Sequence, residues 1–423
     1  MGPDGLENRP PALKTTLTTG RPPEVATPSA TSPPPPARLA ALDAFRGAIL
    51  LLMASSGMGL PQLAGEFPGN AVLGFLGRQC EHAEWAGCTA WDLIQPAFMF
   101  MVGVALPWSV ANRRARGEGF GSMFSHALRR SLVLVLLAVF LTSAWSRQTE
   151  WSFNNVLAQI GLGYPFLFLL AFAGETTAWI GIALVLGVSW GAFALHPIPP
   201  PGFDWASVGV PEGWHHLPGF GAHWEKNANL AATFDRWFLN LFPREAPFAW
   251  SGGGYTTLNF VPSIATMAFG LCAGRLLRSE ELELGIKLRR MVLAGVAGMV
   301  LGQILDLSGV CPSVKRLWTP SWALFSGGLV TLLLAGFVAV IDLVGWKRWA
   351  FPLVVAGMNP ITLYCLWQLS GGFVRETLKT HLGRHVFEAA GAPFVPMLER
   401  VSVLLAFWGI LLWMYRRRIF IRL

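Results

Sequence analysis

The sequence predicts an all-α, polytopic membrane protein of about ten transmembrane helices with one long extracytoplasmic loop, and three observations carry that prediction. Of its 423 residues, 53% are hydrophobic and only 13% are charged, against roughly 25% charged in a soluble domain. Several windows exceed about 18 nearly uncharged residues, the length needed to cross the hydrocarbon core of a bilayer. The Lys and Arg residues gather between those windows, as they do in cytoplasmic loops of membrane proteins. That clustering also accounts for the net charge of +8 without a nucleic-acid partner.

Residues 1–37 are polar, rich in Pro and Thr, and end in "TSPPPP". Such a segment buries too little apolar surface to offset its ordering entropy, and it lacks the apolar centre of a cleaved signal peptide. It is expected to be a disordered cytoplasmic tail ahead of a single transmembrane domain, 38–423. The first helix, 39–60, takes in most of the run "ARLAALDAFRGAILLLM" (37–53). The second, 89–111, follows the polar stretch "CEHAEWAG" and opens on "TAWDL". The third and fourth, 126–145 and 154–173, are separated by a short turn, with Arg129 and Arg130 near the start of the third. A fifth, 176–195, leads into the long loop 196–256. Segments 257–278, 288–307 and 317–344 give the sixth to eighth. The ninth, 350–370, contains Asn359 and Pro360, and the tenth, 398–416, ends in the basic "YRRRIFIRL".

Ten spans place both termini on one side. Of the 32 Lys and Arg residues, 20 fall on the side of the termini and 11 on the other, with Arg46 inside the first helix. The bias predicts cytoplasmic termini and puts His82 at the outer mouth of the second helix. The two halves show no convincing internal repeat, a feature on which many transporters are built.

Several groups in this apolar chain could carry chemistry. Asp43 and Arg46 stand three residues apart, on one face of a helix. Charges inside a membrane are normally paired or aimed into a polar cavity. The pair therefore either fixes the entry angle of the helix or contacts an anionic ligand, and the planar fork of Arg46 suits phosphate. The block "CEHAEWAGCTAWDL" is richer. His82 titrates close enough to neutrality to serve as a general acid or base, with Glu81 or Glu84 to orient it. Trp85, Trp91 and Asp92 complete a polar and aromatic mouth. The plainer reading is an interfacial loop with belt tryptophans and a solvated histidine, although Asp92 lies within the span or at its first turn. His215, His216 and His223 lie in the long loop at spacings that match no strong zinc signature, so no metal is expected. The "SGGGY" run reads as a flexible turn. Asn359 either bonds backbone freed by Pro360 or lines a cavity. Cys272 and Cys365 read as packing residues. Cys80 and Cys88 bracket His82, where an oxidising compartment would permit a disulfide.

At these residues the chain resembles the heparan-α-glucosaminide N-acetyltransferase family of transmembrane acetyltransferases and their bacterial relatives. "LDAFRG" (42–47) is similar to the family's opening signature, and "HAEWAGCTAWDLIQPAFMFMVGVAL" (82–106) to its His-x-x-Trp-x-Gly-x-Thr-x-x-Asp-Leu block. "NVLAQIGLGY", "NLAATFDRW", "VPSIATMAFGLCAG", "LWTPSWALFSGG" and "AGMNP" resemble later segments in the same order. The likeness covers about 42 to 360. It implies an acetyl-CoA-dependent N- or O-acetyltransferase that moves an acetyl group from the cytosolic donor to an extracytoplasmic amino sugar or cell-surface glycan. It places the catalytic role on His82; beside it, Asp43, Trp85, Asp92 and Asn359 are expected to support the site, with Arg46 a candidate contact for the donor's phosphates. His82 would act as a base in direct transfer or be acylated itself. One departure stands out: where the family carries an asparagine near the end of the first helix, this chain has Gly57, with Ser55 and Ser56 beside it. The expected partners are the bilayer, acetyl-CoA and the glycan acceptor, with a homodimer left open. The expected location is a bacterial inner (plasma) membrane. A transporter or flippase for a sugar or lipid-linked glycan is the alternative, since it too needs Asp, Arg and Asn facing a cavity. A catalytically inert structural partner is a third.

Overall fold

Residues 39–421 are described by the computed structural model; the tail expected at 1–37 lies outside the described residues. Among the described residues the chain is helical, with a single isolated β-bridge between Ala86 and Val314. The bundle begins with α1 (Ala40–Ala54), followed by the short α2 (Leu60–Glu66) and α3 (Ala71–Gln79). Next come α4 (Ile94–Ala115), α5 (Phe120–Ser143), α6 (Val156–Phe172) and α7 (Glu175–Ala194). After a long loop carrying α8 (Leu230–Phe238) run α9 (Phe260–Arg278), α10 (Leu284–Leu307) and α11 (Pro320–Val338). The last part comprises α12 (Phe351–Gly357), α13 (Pro360–Leu382), α14 (Arg384–Glu388) and α15 (Val395–Arg416).

Seven of these helices, counted with the short turns that extend them, are long and apolar enough to cross a membrane, and nine if each of two bent pairs is one span. The one predicted segment outside that count, the fourth at 154–173, is the 17-residue apolar helix α6. It is short because both ends are fixed locally: Asn155 Oδ1 caps its start by accepting from the Ala158 amide at 3.0 Å, and Ala173 is extended. The two bends were not visible as apolar periodicity. The first, 47° between α1 and α2, occurs where Ser56, Gly57, Met58 and Gly59 all have positive φ, at 48°, 68°, 50° and 73°. Side chains rarely adopt that region, so two of the four residues hold backbone strain. The second, 70°, separates α12 from α13 at Asn359–Pro360, where proline ends one helix and starts the next. The ninth predicted span, 350–370, therefore contains a break, and its helix continues to Leu382.

Loop contacts sort the two ends of the bundle. At one end the connections after α3, α5, α7 and α10 meet: Trp85 Nε1 donates to Trp224 O, Trp151 stacks on Phe242, and Arg316 donates to Gly253 O. At the other, Arg275 donates to the carbonyls of Leu170, Ala171 and Ala173 at 2.8–3.0 Å, and Arg114 lies over the Phe172 ring. This second end carries most of the basic residues and is called the basic end below.

Close helix crossings hold the bundle together. A Cβ on Gly103 of α4 would lie 1.8 Å from the Met267 carbonyl oxygen of α9, and one on Gly270 of α9 would lie 1.9 Å from the Phe100 carbonyl oxygen of α4. Small residues let helix backbones touch in a medium that gives no hydrophobic drive between helices. Because α4 carries Asp92 at its entrance and α9 follows the Tyr255 loop, this crossing sets the spacing of the site described next. Gly103→Leu is expected to destabilise the protein by at least about 1–3 kcal/mol, read as a lowered unfolding temperature in detergent. Gly187→Leu on α7 meets nothing within 4 Å and is the control, with an expected change within about 0.5 kcal/mol.

Candidate active site

The start of α4 is preceded by a tight loop that folds around one carboxylate. Asp92 is 1% exposed. Its Oδ2 accepts from the Ala83 amide (3.0 Å), the Thr89 amide (3.2 Å) and the Thr89 hydroxyl (3.0 Å). Thr89 Oγ1 also lies 2.6 Å from the Glu81 carbonyl oxygen. With Oδ2 occupied, Oδ1 turns to His82 Nδ1 at 2.7 Å and to Lys315 Nζ at 3.1 Å. Lys315 Nζ also stands 3.1 Å from His82 Nδ1, which closes a triangle of His, Asp and Lys.

The chemistry of the partners fixes the imidazole. An ionised carboxylate only accepts and an ammonium only donates, so a 2.7 Å contact between Nδ1 and Oδ1 requires the proton on Nδ1. In the neutral ring Nε2 then keeps its lone pair, and the 3.1 Å approach of Lys315 Nζ to Nδ1 is a contact between two donors that share Oδ1, not a hydrogen bond. The His82 side chain is 38% exposed and borders a cavity of about 270 Å³. Trp91, Tyr255, Tyr364 and Trp367 form aromatic walls there, and Gln95 and Gln368 supply amides. Gln95 Nε2 donates to the fully buried Gln159 at 2.8 Å, which orients the amide at the cavity wall. The Tyr255 ring stands edge-on to His82 at 6.5 Å. Burial pushes its phenol up to about 12, so the wall is neutral at physiological pH.

Lys315 is held by a rigid turn. Val314 pairs with Ala86 through the β-bridge, and the Val314 amide donates to Thr319 Oγ1 at 3.0 Å. The fully buried Trp318 sits at φ 54° and donates from Nε1 to Thr266 Oγ1 at 3.0 Å. Arg316 ties the turn to the His82 loop through the Ala83 carbonyl at 3.2 Å. Burial lowers the Lys315 ammonium below the usual lysine range, against the opposing pull of the Asp92 carboxylate.

Of the residues singled out in the sequence, the structure brings His82 and Asp92 together with Trp91 in the wall of the same cavity, and places Trp85, Asp43, Arg46 and Asn359 elsewhere. Trp85 is buried one loop away, with its indole bonded to Trp224 O and its ring against Gly254. Asp43 and Arg46 pair at 3.4 Å near the start of α1. They lie roughly two to three turns, ~10–15 Å along the helix, from Met53, which lines the cavity. Asn359 fixes the end of the described chain: it donates to Ile419 O at 3.0 Å and accepts from the Ile421 amide at 2.9 Å. The alternative of backbone released by Pro360 is thus met by a different stretch of backbone. Gly57 packs on Cys80 at the α1–α2 bend. Glu81 and Glu84 are not the groups that orient His82; Asp92 is, because it is the buried one. Cys80 and Cys88 are free thiols, and burial together with Asp92 pushes Cys88 up to about 12. His216 pairs with Glu225 at 3.3 Å, and His223 Nδ1 lies 2.8 Å from His196 O. Among the described residues no three His, Cys, Asp or Glu side chains are grouped to hold a metal ion.

Lys315, Tyr255, Gln95 and Trp367 were missed in the sequence. Lys315 had one signal, since a Lys-Arg pair stands directly before "LWTPSW", a segment already noted for its resemblance.

Fold and site together define a class: a polytopic helical membrane protein with an oriented histidine at the mouth of an aromatic-walled cavity. No family model matches the chain. Two curated proteins do. Human (Homo sapiens) heparan-alpha-glucosaminide N-acetyltransferase is 23% identical over 376 residues, which cover 78% of this chain and 52% of that protein. The mouse (Mus musculus) protein of the same name is 22% identical over 372 residues, covering 77% and 53%. The chain spans about half the length of these relatives. The resemblance read from short motifs is thus matched by a likeness along most of the chain.

Proposed function

We propose that this protein is a membrane acetyltransferase that uses acetyl-CoA as donor and an amino sugar or cell-surface glycan as acceptor. The observation that carries the reading is the His82–Asp92 pair at the border of the cavity, which in the neutral ring leaves Nε2 to act as a base. It stands at the position where the resemblance to the acetyltransferase family puts the catalytic histidine. In direct transfer, Nε2 takes a proton from the acceptor amine as its nitrogen attacks the thioester carbonyl. The C–S bond then breaks, and the proton on Nε2 passes to the departing thiolate, giving the N-acetyl product and CoA. Asp92 stabilises the positive charge that the ring carries between those two steps. The same lone pair could attack the thioester first and form an acyl-histidine. Trapping of acetyl on His82 with donor alone would select that route.

Aromatic walls and two amides suit the apolar face and hydroxyls of a sugar ring. In this reading the His82 end faces outward from a bacterial inner membrane and the basic end faces the cytoplasm. Arg46 and its basic neighbours would receive the donor's phosphates there. Residues 38–423 would act as one domain, with 1–37 as a tail.

The test is CoA release from acetyl-CoA by purified protein, with and without glucosamine-type acceptors. Acceptor-dependent release is the expected result. No release from a folded sample across a broad acceptor panel, together with uptake of unmodified sugar into proteoliposomes, would replace this reading with transport.

A further inference from the structure

Lys315 is 5% exposed and reaches both members of the dyad. A buried cation is costly unless compensated, and here the compensation is the single oxygen, Asp92 Oδ1, that also accepts the hydrogen bond from His82 Nδ1. Consider the dyad without it. A buried carboxylate facing an imidazole alone favours the doubly protonated ring, in which Nε2 carries a proton and cannot act as a base. With Lys315 present, the carboxylate's charge is already balanced and the ring keeps its orientation through the 2.7 Å contact.

We propose that Lys315 is a positioning residue: it neutralises Asp92 so that the carboxylate orients His82 without holding the ring protonated. Its side chain is placed for this by the Ala86–Val314 bridge and by Arg316, which bonds to both the Gly253 and Ala83 carbonyls. Other ionisable groups surround the ring: Glu81, Glu84 and Cys88 on its own loop, and Tyr255 and Arg316 on the two facing loops. Among the described residues only Asp92 and Lys315 reach a His82 nitrogen. The activity part of the test rests on the acetyltransferase reading; the titration part does not.

The experiment is a pH titration of His82 by NMR, in full-length protein in detergent with labelled histidine. The chain has 8 histidines, and the His82 signal is assigned by its loss in His82→Gln. In Lys315→Met the titration midpoint is expected to rise by about one pH unit, because a nearby positive charge has gone. In Lys315→Arg it is expected to stay near the wild-type value. An unchanged or lower midpoint in Lys315→Met would overturn the proposal. Should that variant fail to fold, Lys315→Gln, which can still bond to Asp92 but is uncharged, carries the same expectation. In the CoA-release assay, the acidic limb of kcat/KM moves to higher pH in the same variant, with KM for acetyl-CoA unchanged. A purely structural lysine would lower the rate at every pH and leave the limb in place, which would also overturn the proposal. If the wild type releases no CoA, the functional reading fails while the titration still decides the role of Lys315.

Discussion

His82→Gln is expected to lower acceptor-dependent CoA release by about two to four orders of magnitude, the range that a general acid–base group supplies. Glutamine is chosen because it is polar, is close in size and can still donate from its amide to Asp92 Oδ1. It leaves the loop's hydrogen bonds to Ala83 and Thr89 in place. The loss should therefore appear without a change in the size-exclusion profile or unfolding temperature. Retention of more than a tenth of the wild-type rate would remove His82 from the chemistry, whatever the folding data show.

Asp92→Asn is expected to have an effect of similar size for a different reason. The substitution keeps the volume but offers an amide N–H where Oδ1 was. An amide N–H beside Nδ1 favours the tautomer with its proton on Nε2, which closes the base. Loss of the aspartate in such dyads lowers turnover by about four orders of magnitude while geometry is kept. There is also a stability component. Lys315 would lose its counter-ion, and breaking one side of a buried pair costs about 3–5 kcal/mol. The double variant Asp92→Asn/Lys315→Met should recover most of that stability and none of the activity. Recovery of activity in the double variant would mean that Asp92 acts only through Lys315.

Much of the fold was legible because hydropathy alone decides which segments enter a membrane. All ten predicted segments correspond to helices, and the ends that slipped have local causes. The extension of α13 to Leu382 was hidden by "GGFVRETLKTH", which is too polar to read as a span. The bend after α1 was announced only by Gly57 and Gly59, since Ser56 and Met58 give no sign that they take the left-handed conformation. For the site, His82 and Asp92 were legible as a pair of ionisable groups at a span entrance. Their connection was not, because Glu81 and Glu84 are nearer in sequence. What separates the candidates is burial, a property of the folded loop. Lys315 showed only as half of a Lys-Arg pair before "LWTPSW", and its burial against Asp92 was hidden for the same reason. Asp43, Arg46 and Asn359 were legible as polar groups in apolar helices, but periodicity cannot say which end of the bundle a residue serves.

The bridge between Ala86 and Val314 bears on how the protein is made. Lys315 is separated from His82 by 233 positions in the chain, and contacts of such long range require the intervening loop to close first. During synthesis the first helices emerge well before residue 315 does. A growing chain thus holds His82 and Asp92 without their third partner until α10 has been inserted and its following turn folds back. The triangle of His82, Asp92 and Lys315 is therefore completed late, as a property of the assembled bundle. A chain arrested after α9 would carry the histidine loop without the pairing that anchors it.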